Sequence, residues 1–527
     1  MLEAGFVTSA LAGFRWGLAR DAGCVPGSAG RSRAILWSLA AVVALNFIAR
    51  GQTVFDPLYS PDSYMLLDAP PRVIVHDLLG NGRIGGVALN EVMAWLGFPL
   101  VRSASAQLAL AIVAFAASGY LFARAVVDDP TPIETFGFVS LFTLDPLASE
   151  FFYFSETTLR TSLAVLFASI AVRAAFTAEG GAPRRIGAGV AAFLAAGIYQ
   201  LAVSYVTVVA AFRLLRLVGG AGAAQTRDAR RESAGFAAGL ASLAVGFALS
   251  AVAAYALKLI WPDIARGRMF EADPGGWATR IGFGFRIAAL AFFPPDSVGP
   301  PFVNALTQFG ALVCAGLALR AMAQRGGGLS AVMGALCLGG ALIGSQAVSV
   351  LAAGTYPTAR LLSPIALFFA FVALFGYRAA GEEARPWLAL GVVIVTLGYV
   401  GASSSLLFEQ RRLNRWDHAE ANRVVARLEA NADFVPGMPL AVVGSQWRYG
   451  FAGVTAWGTM KVSSLRASWS QPGVIEEATG YRFAAPSAQA SDAAKRYCDG
   501  RKPWPAPDSV EILDGTAVVC LAQESGS

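Results

Sequence analysis

The stretch IGAGVAAFLAAGIYQLAVSYVTVVAAFRLLRLV, residues 186 to 218, decides the fold. About 20 apolar residues cross a bilayer as a helix. This stretch is too long for one ordinary crossing and short for two. Charge separates the readings. Arg184 and Arg185 stand just before it, Arg227, Arg230 and Arg231 follow it, and Arg213 and Arg216 lie inside its last turns. Basic residues gather on the cytoplasmic side of a membrane protein, so both ends belong there. A single crossing would leave one basic cluster outside. Two short helices turning near Tyr199-Gln200 satisfy both ends. A break at that depth is tolerated where protein or a wet cavity covers the backbone.

The rest of the chain agrees. Of 527 residues, 55% are hydrophobic and only 14% charged, with mean hydropathy +0.54. A soluble protein carries roughly a quarter charged residues. Single apolar blocks fall at 34–49, 106–127, 133–152, 158–176, 234–257, 302–322, 329–351, 361–378 and 386–405. With the pair, they predict a polytopic α-helical membrane protein of about 11 transmembrane helices. Residues 1–33 form a cytoplasmic segment, and 34–49 reads as a signal anchor after Arg15, Arg20, Arg31 and Arg33. Arg173, Arg320, Arg325, Arg378 and Arg385 also fall inside. The membrane domain is then 34–405, with external loops 50–105, 150–157 and 258–301. The net charge of +6 is that of positive-inside arginines, not a nucleic-acid footprint.

Segment 84–98, IGGVALNEVMAWLGF, is apolar but carries Asn90 and Glu91 near its middle. It is read as a helix lying on the outer leaflet. From 406 to 527 the composition changes. LNRWDHAEANRVVARLEA has apolar residues at helix spacing, PLAVVG (439–444) reads as a strand, and Asp514-Gly515 between two apolar runs signals a hairpin. This predicts a small α/β extracytoplasmic domain. Cys498 and Cys520 lie in it, either paired or free.

Chemistry has few candidate places. Gly80 to Gly85, G-N-G-R-I-G, matches a dinucleotide fingerprint by letters, but the fingerprint needs a βαβ unit around it. Between membrane segments it is read as a glycine-rich turn. No phosphate loop of the G-x-x-x-x-G-K-[ST] type is present, and His76 and His418 are the only histidines. The first external loop carries Asp56, Asp62, Asp68 and Asp77. A second acidic set, Asp145, Glu150 and Glu156, lies at the mouth of the third and fourth spans. Two acidic loops facing each other predict a polar pocket at the membrane surface. A carboxylate there is placed to act as general base toward a hydroxyl. Arg160, Arg280, Arg286 and Arg360 fall on the outer side, against the positive-inside trend. A single one is read as a snorkelling side chain. Together they predict an anionic ligand such as a lipid-linked phosphate, which the guanidinium fork suits.

This layout resembles the GT-C glycosyltransferases, and within them the bacterial glucosyl transferase II (GtrII-type) family. Four places carry the resemblance: SPDSYMLLDAPPRVIVHDLLGNGR with its Gly82-Arg83 pair, LDPLASEFFYFSETT, GIYQLAVSYV with Tyr199-Gln200, and KPWPAPDSVEILDGTAVVCL. The family loop often has two adjacent acidic residues, where this chain has Asp62-Ser63. The resemblance implies transfer of a sugar, typically glucose, from a polyprenyl-phosphate donor. The acceptor would be a cell-surface glycan such as O-antigen, outside the bacterial inner membrane. Asp62 would be the base and Asp68 a second carboxylate. Arg83, Asp145, Glu150, Glu156, Arg160, Tyr199, Gln200, Arg280, Arg286 and Arg360 would be substrate-binding. A divalent cation, Mg or Mn, stays open, and so does a rival reading as a transporter or flippase for a polyprenyl-linked or other anionic substrate.

Overall fold

The computed structural model describes residues 28–67, 69, 71–98, 101–177, 181–220, 226–261, 276–293, 299–351, 358–446 and 463–522. Its helices are α1 (Ser28–Arg50), α2 (Pro61–Leu66), α3 (Pro71–Gly80), α4 (Ile84–Trp95), α5 (Ala104–Val126), α6 (Pro132–Leu144), α7 (Thr158–Ala175), α8 (Ala182–Ile198) and α9 (Ala202–Gly220). They continue as α10 (Thr226–Ile260), α11 (Trp277–Phe292), α12 (Pro301–Gly344), α13 (Pro364–Ala379), α14 (Arg385–Glu429), α15 (Gln471–Thr479) and α16 (Ala488–Cys498). A few single-turn helices lie between them. Strands β1 (Gly437–Val443), β2 (Phe483–Ala484), β3 (Val510–Leu513) and β4 (Thr516–Cys520) form one sheet.

Among the described residues, eight helices are long and apolar enough to cross a bilayer. The chain is a helical membrane protein. One of the eight, α12, is two segments across Gly327, whose φ of 75° and ψ of −176° leave the helical region. The long apolar stretch of the opening is split as well. α8 ends at Ile198, Tyr199 is extended, and α9 begins at Ala202. At 17 residues α8 is slightly short for an ordinary span, and α6 has only 13.

Three boundaries differ from expectation. The block 133–152 stops being one helix at Leu144. There Asp145 accepts from the Leu147 N–H at 2.9 Å and Pro146 starts a new turn. The loop 258–301 contains α11. The expected domain border at 405/406 falls inside α14, one helix of 45 residues and about 67 Å. No Gly or Pro lies between Gly401 and Pro436 to end it, so it runs from the apolar layer into the C-terminal part. The first external loop is also mostly helical, including the RVIVHDLL run.

The apolar core of the bundle is rich in aromatics. Phe115, Phe122, Phe142 and Tyr205 pack ring against ring, as do Phe138, Phe212 and Phe371. A second core lies between the last turns of α14 (Val424, Val425, Leu428) and the sheet. The strand order is β2-β1-β4-β3, with β1 parallel to β4 and β3 antiparallel to it. Asp514 and Gly515 join β3 to β4 with φ of 47° and 76°, the positive values a two-residue type I′ turn requires. Cys498 and Cys520 form a disulfide tying α16 to β4.

Candidate active site

The Asp62 region is built by a short helix with a strong start. Ser60 caps α2: its Oγ accepts from the Ser63 N–H, while Ser63 Oγ accepts from the Ser60 N–H, both at 3.0 Å. This is a capping box with serine in the place usually held by Glu or Gln. Pro61 takes the first helical position, where a missing N–H costs nothing. Asp62 follows in the first turn, half-buried, and accepts from Trp469 Nε1 at 3.3 Å.

Ser63 answers the missing adjacent carboxylate. Its hydroxyl donates to Glu156, and Ser60 Oγ lies 3.4 Å from the same carboxylate. Glu156 is fully buried in the turn before α7. A second acidic group is therefore held beside Asp62, supplied by the other acidic loop. Burial pushes the Glu156 carboxyl up to about 7, and the Asp62 charge pushes it the same way against the Ser63 hydrogen bond. Arg160, one turn on, donates from Nη2 to the Glu156 carbonyl at 2.9 Å. Its Nε and Nη1 are buried without a partner among the described residues.

The glycine-rich string forms the next wall. Arg83 N–H donates to Leu78 O and Gly82 N–H to Leu79 O, both at 2.8 Å. With Gly82 at φ 70°, this is a Schellman ending to α3. Gly85 then lets α4 lie against the end of α8, since a Cβ there would sit 2.9 Å from the Gly197 carbonyl carbon. At 12 residues, about 18 Å, α4 is too short to cross. Asn81 donates to the Asp77 carboxylate at 3.1 Å, and Gln200 Nε2 donates to Asn81 O at 2.6 Å. Arg83 stacks over the Tyr199 ring at 4.7 Å, a cation–π contact. The break between α8 and α9 thus receives the end of α3. Burial raises the Asp77 carboxyl, with the Arg83 charge opposing.

These groups line one cavity of about 740 Å³. Asp62, Asp77, Arg83, Gln200 and Arg360 form its polar side, while Phe247, Ala251, Ala254 and Val348 form an apolar wall. Arg360 lies over the Phe154 ring at 3.9 Å, and its N–H donates to the Glu150 carboxylate.

The sequence-derived candidates divide on this geometry. Asp62, Arg83, Tyr199, Gln200 and Arg360 line the cavity. Glu156, Arg160 and Glu150 stand behind it. Asp145 lies elsewhere: fully buried Arg50 at the end of α1 donates to its main-chain carbonyl at 3.1 Å, and Tyr399 bonds its side chain. Arg280 and Arg286, on α11, are not among the lining residues. Asp68 lies outside the described residues. Asp77, one of the four aspartates of the first external loop, also lines the cavity. Trp469 carried no signal, being some 400 residues from Asp62 in sequence. Among the described residues no three His, Cys, Asp or Glu side chains gather as a metal cluster. Asp62 and Asp77 are the two carboxylates a cation in this cavity would meet.

No known family profile matches the chain, and no curated protein does. Among solved structures, a cryo-EM structure of the arabinofuranosyltransferase AftD from mycobacteria aligns at 15% identity with a TM-score of 0.41. The alignment covers 89% of this chain and 34% of that one, so the chain spans about a third of that protein's length.

Proposed function

We propose that this chain is a membrane glycosyltransferase of the GT-C kind. It would move a sugar, in the GtrII-type reading glucose, from a polyprenyl-phosphate carrier to a surface glycan outside the bacterial inner membrane. In this reading all eleven apolar segments cross the bilayer, 133–152 through α6 together with the turns that follow it, with the N-terminus in the cytoplasm. The observation that carries the proposal is the two-sided cavity. A half-buried carboxylate and guanidinium groups sit on one side, and an apolar wall between membrane helices faces them. That combination suits a phosphate-linked sugar on a lipid tail.

The chemistry follows from the placement. An acceptor hydroxyl attacks the anomeric carbon while Asp62 takes its proton. The bond from that carbon to the phosphate oxygen breaks, and the carrier phosphate leaves with the electron pair. Arg83 and Arg360 face the charge that develops on it, which is where fixed cations help most. One displacement inverts the anomeric configuration. Trp469 orients Asp62 from the C-terminal part, and Ser63 ties the helix bearing Asp62 to Glu156.

The test is the surface glycan, measured by mass spectrometry with wild type, a deletion, and Asp62→Asn in the deleted background. Loss of one hexose on deletion, not restored by Asp62→Asn present at normal membrane levels, is expected. Full restoration by Asp62→Asn would refute Asp62 as base. A carrier that only moves lipid-linked sugar would need no proton acceptor, so its Asn variant would still restore the glycan.

A further inference from the structure

A second cavity, of about 470 Å³, lies at the other end of the same helices. On α9, Val203 lines the first cavity and Arg216 the second. Thirteen residues of helix place them about 20 Å apart along the axis. The two cavities therefore lie toward opposite ends of α9, a helix long and apolar enough to cross the bilayer. The second has an apolar floor, with Leu215, Met322 and Phe375, and three guanidinium groups, Arg216, Arg325 and Arg378.

The charges around it do not balance. Arg378 is held by Glu134 at 2.7 and 2.9 Å. Arg216 is held by Asp128 and by the Val126 carbonyl at 2.6 Å. Glu232, the one carboxylate lining the cavity, is taken by Arg213 at 2.9 Å. Arg325 is left without a carboxylate in ion-pair distance among the described residues. Four guanidinium groups thus meet three carboxylates. Arg213 stands behind the lining residues, 4% exposed, and its Nη1 is buried with no hydrogen-bond partner among the described residues. An excess of guanidinium charge around a cavity favours an anion within it.

We propose that this cavity holds a phosphate group, carried by the headgroup of an anionic phospholipid from the leaflet on that side. The guanidinium forks match phosphate oxygens, and the apolar floor accepts the start of an acyl chain. Basic pockets between membrane helices are where such headgroups dock. The site is separate from the Asp62 cavity and does not depend on the reading given to that cavity.

The test uses the full chain in phosphatidylcholine nanodiscs or mild detergent, with added phosphatidylglycerol, added phosphatidylcholine or inorganic phosphate. Thermal shift and native mass spectrometry are the readouts. Phosphatidylglycerol should raise the melting temperature and leave a bound lipid, where phosphatidylcholine does neither. Arg325→Gln, at an exposed position with no carboxylate partner among the described residues, should weaken the phosphatidylglycerol effect about tenfold, the loss of one charge-assisted contact. Arg325→Lys should keep most of it, and Arg185→Gln, an exposed arginine outside the cavity, should change nothing. An equal effect from inorganic phosphate alone would support the phosphate site and assign it to free phosphate. Equal responses to both lipids, or an unchanged response in Arg325→Gln, would overturn the proposal.

Discussion

Replacing Glu156 by Gln tests the link between the two acidic loops. Gln keeps an oxygen for the Ser63 hydroxyl and cannot ionise. In the wild type the carboxyl is buried and titrates at about 7 instead of 4.5, chiefly through desolvation. Between those values the folded protein binds more protons than the unfolded chain, so stability falls as pH rises through that window. Integrating the two titrations from pH 5 to pH 8 gives a loss on the order of 2 to 3 kcal/mol from this one group. Burial raises Asp77 as well, so the wild-type profile slopes for more than one reason. The informative quantity is the difference between variant and wild type. Glu156→Gln should gain on the order of 2 to 3 kcal/mol over wild type on going from pH 5 to pH 8. Denaturant-dependent unfolding in detergent, followed by tryptophan fluorescence at pH 5, 6, 7 and 8, reads this directly. Parallel profiles for the two proteins would refute the claim that Glu156 is held where its charge is costly.

Other outcomes follow from the same geometry. Asp62→Asn should lower transfer by about 100-fold or more, the range of a lost general base, with unchanged membrane levels; near-normal turnover in vitro would count against it. Trp469→Phe keeps the ring but removes the N–H that reaches Asp62, so the turnover number should fall several-fold while the melting temperature holds. Gly82→Ala forces a side chain into positive φ at the end of α3 and should cost about 1 kcal/mol, measured by the same unfolding assay. Cys498→Ser opens a loop of 22 residues and should cost about 3 kcal/mol in the C-terminal part; an identical unfolding curve under reducing and non-reducing conditions in the wild type would contradict this.

Much was legible in the chain because bilayer physics writes itself in one dimension. Apolar length and arginine placement marked the membrane segments, including the split at Tyr199-Gln200. The Asp514-Gly515 turn was readable because positive φ at two successive residues admits few residue types. Four loop aspartates stood out for their place after the first apolar segment, and the resemblance to the GtrII-type family singled out Asp62 and the Gly82-Arg83 pair among these loop residues. The sequence was silent where partners are distant. That Ser63 reaches Glu156, and that Trp469 reaches Asp62, depends on α2 docking against α15 and on the turn before α7. No local spacing encodes either contact. For the same reason Asp145 read like Glu156: each is an acidic residue near a helix end. Only the packing sends Asp145 to Arg50 on α1 and Glu156 to the serines beside Asp62. Sequence alone determined which segments avoid water and which ends carry positive charge, because both are properties of single residues in a fixed solvent. Tertiary structure decided which carboxylates share a cavity, because that depends on distances between segments the backbone does not join.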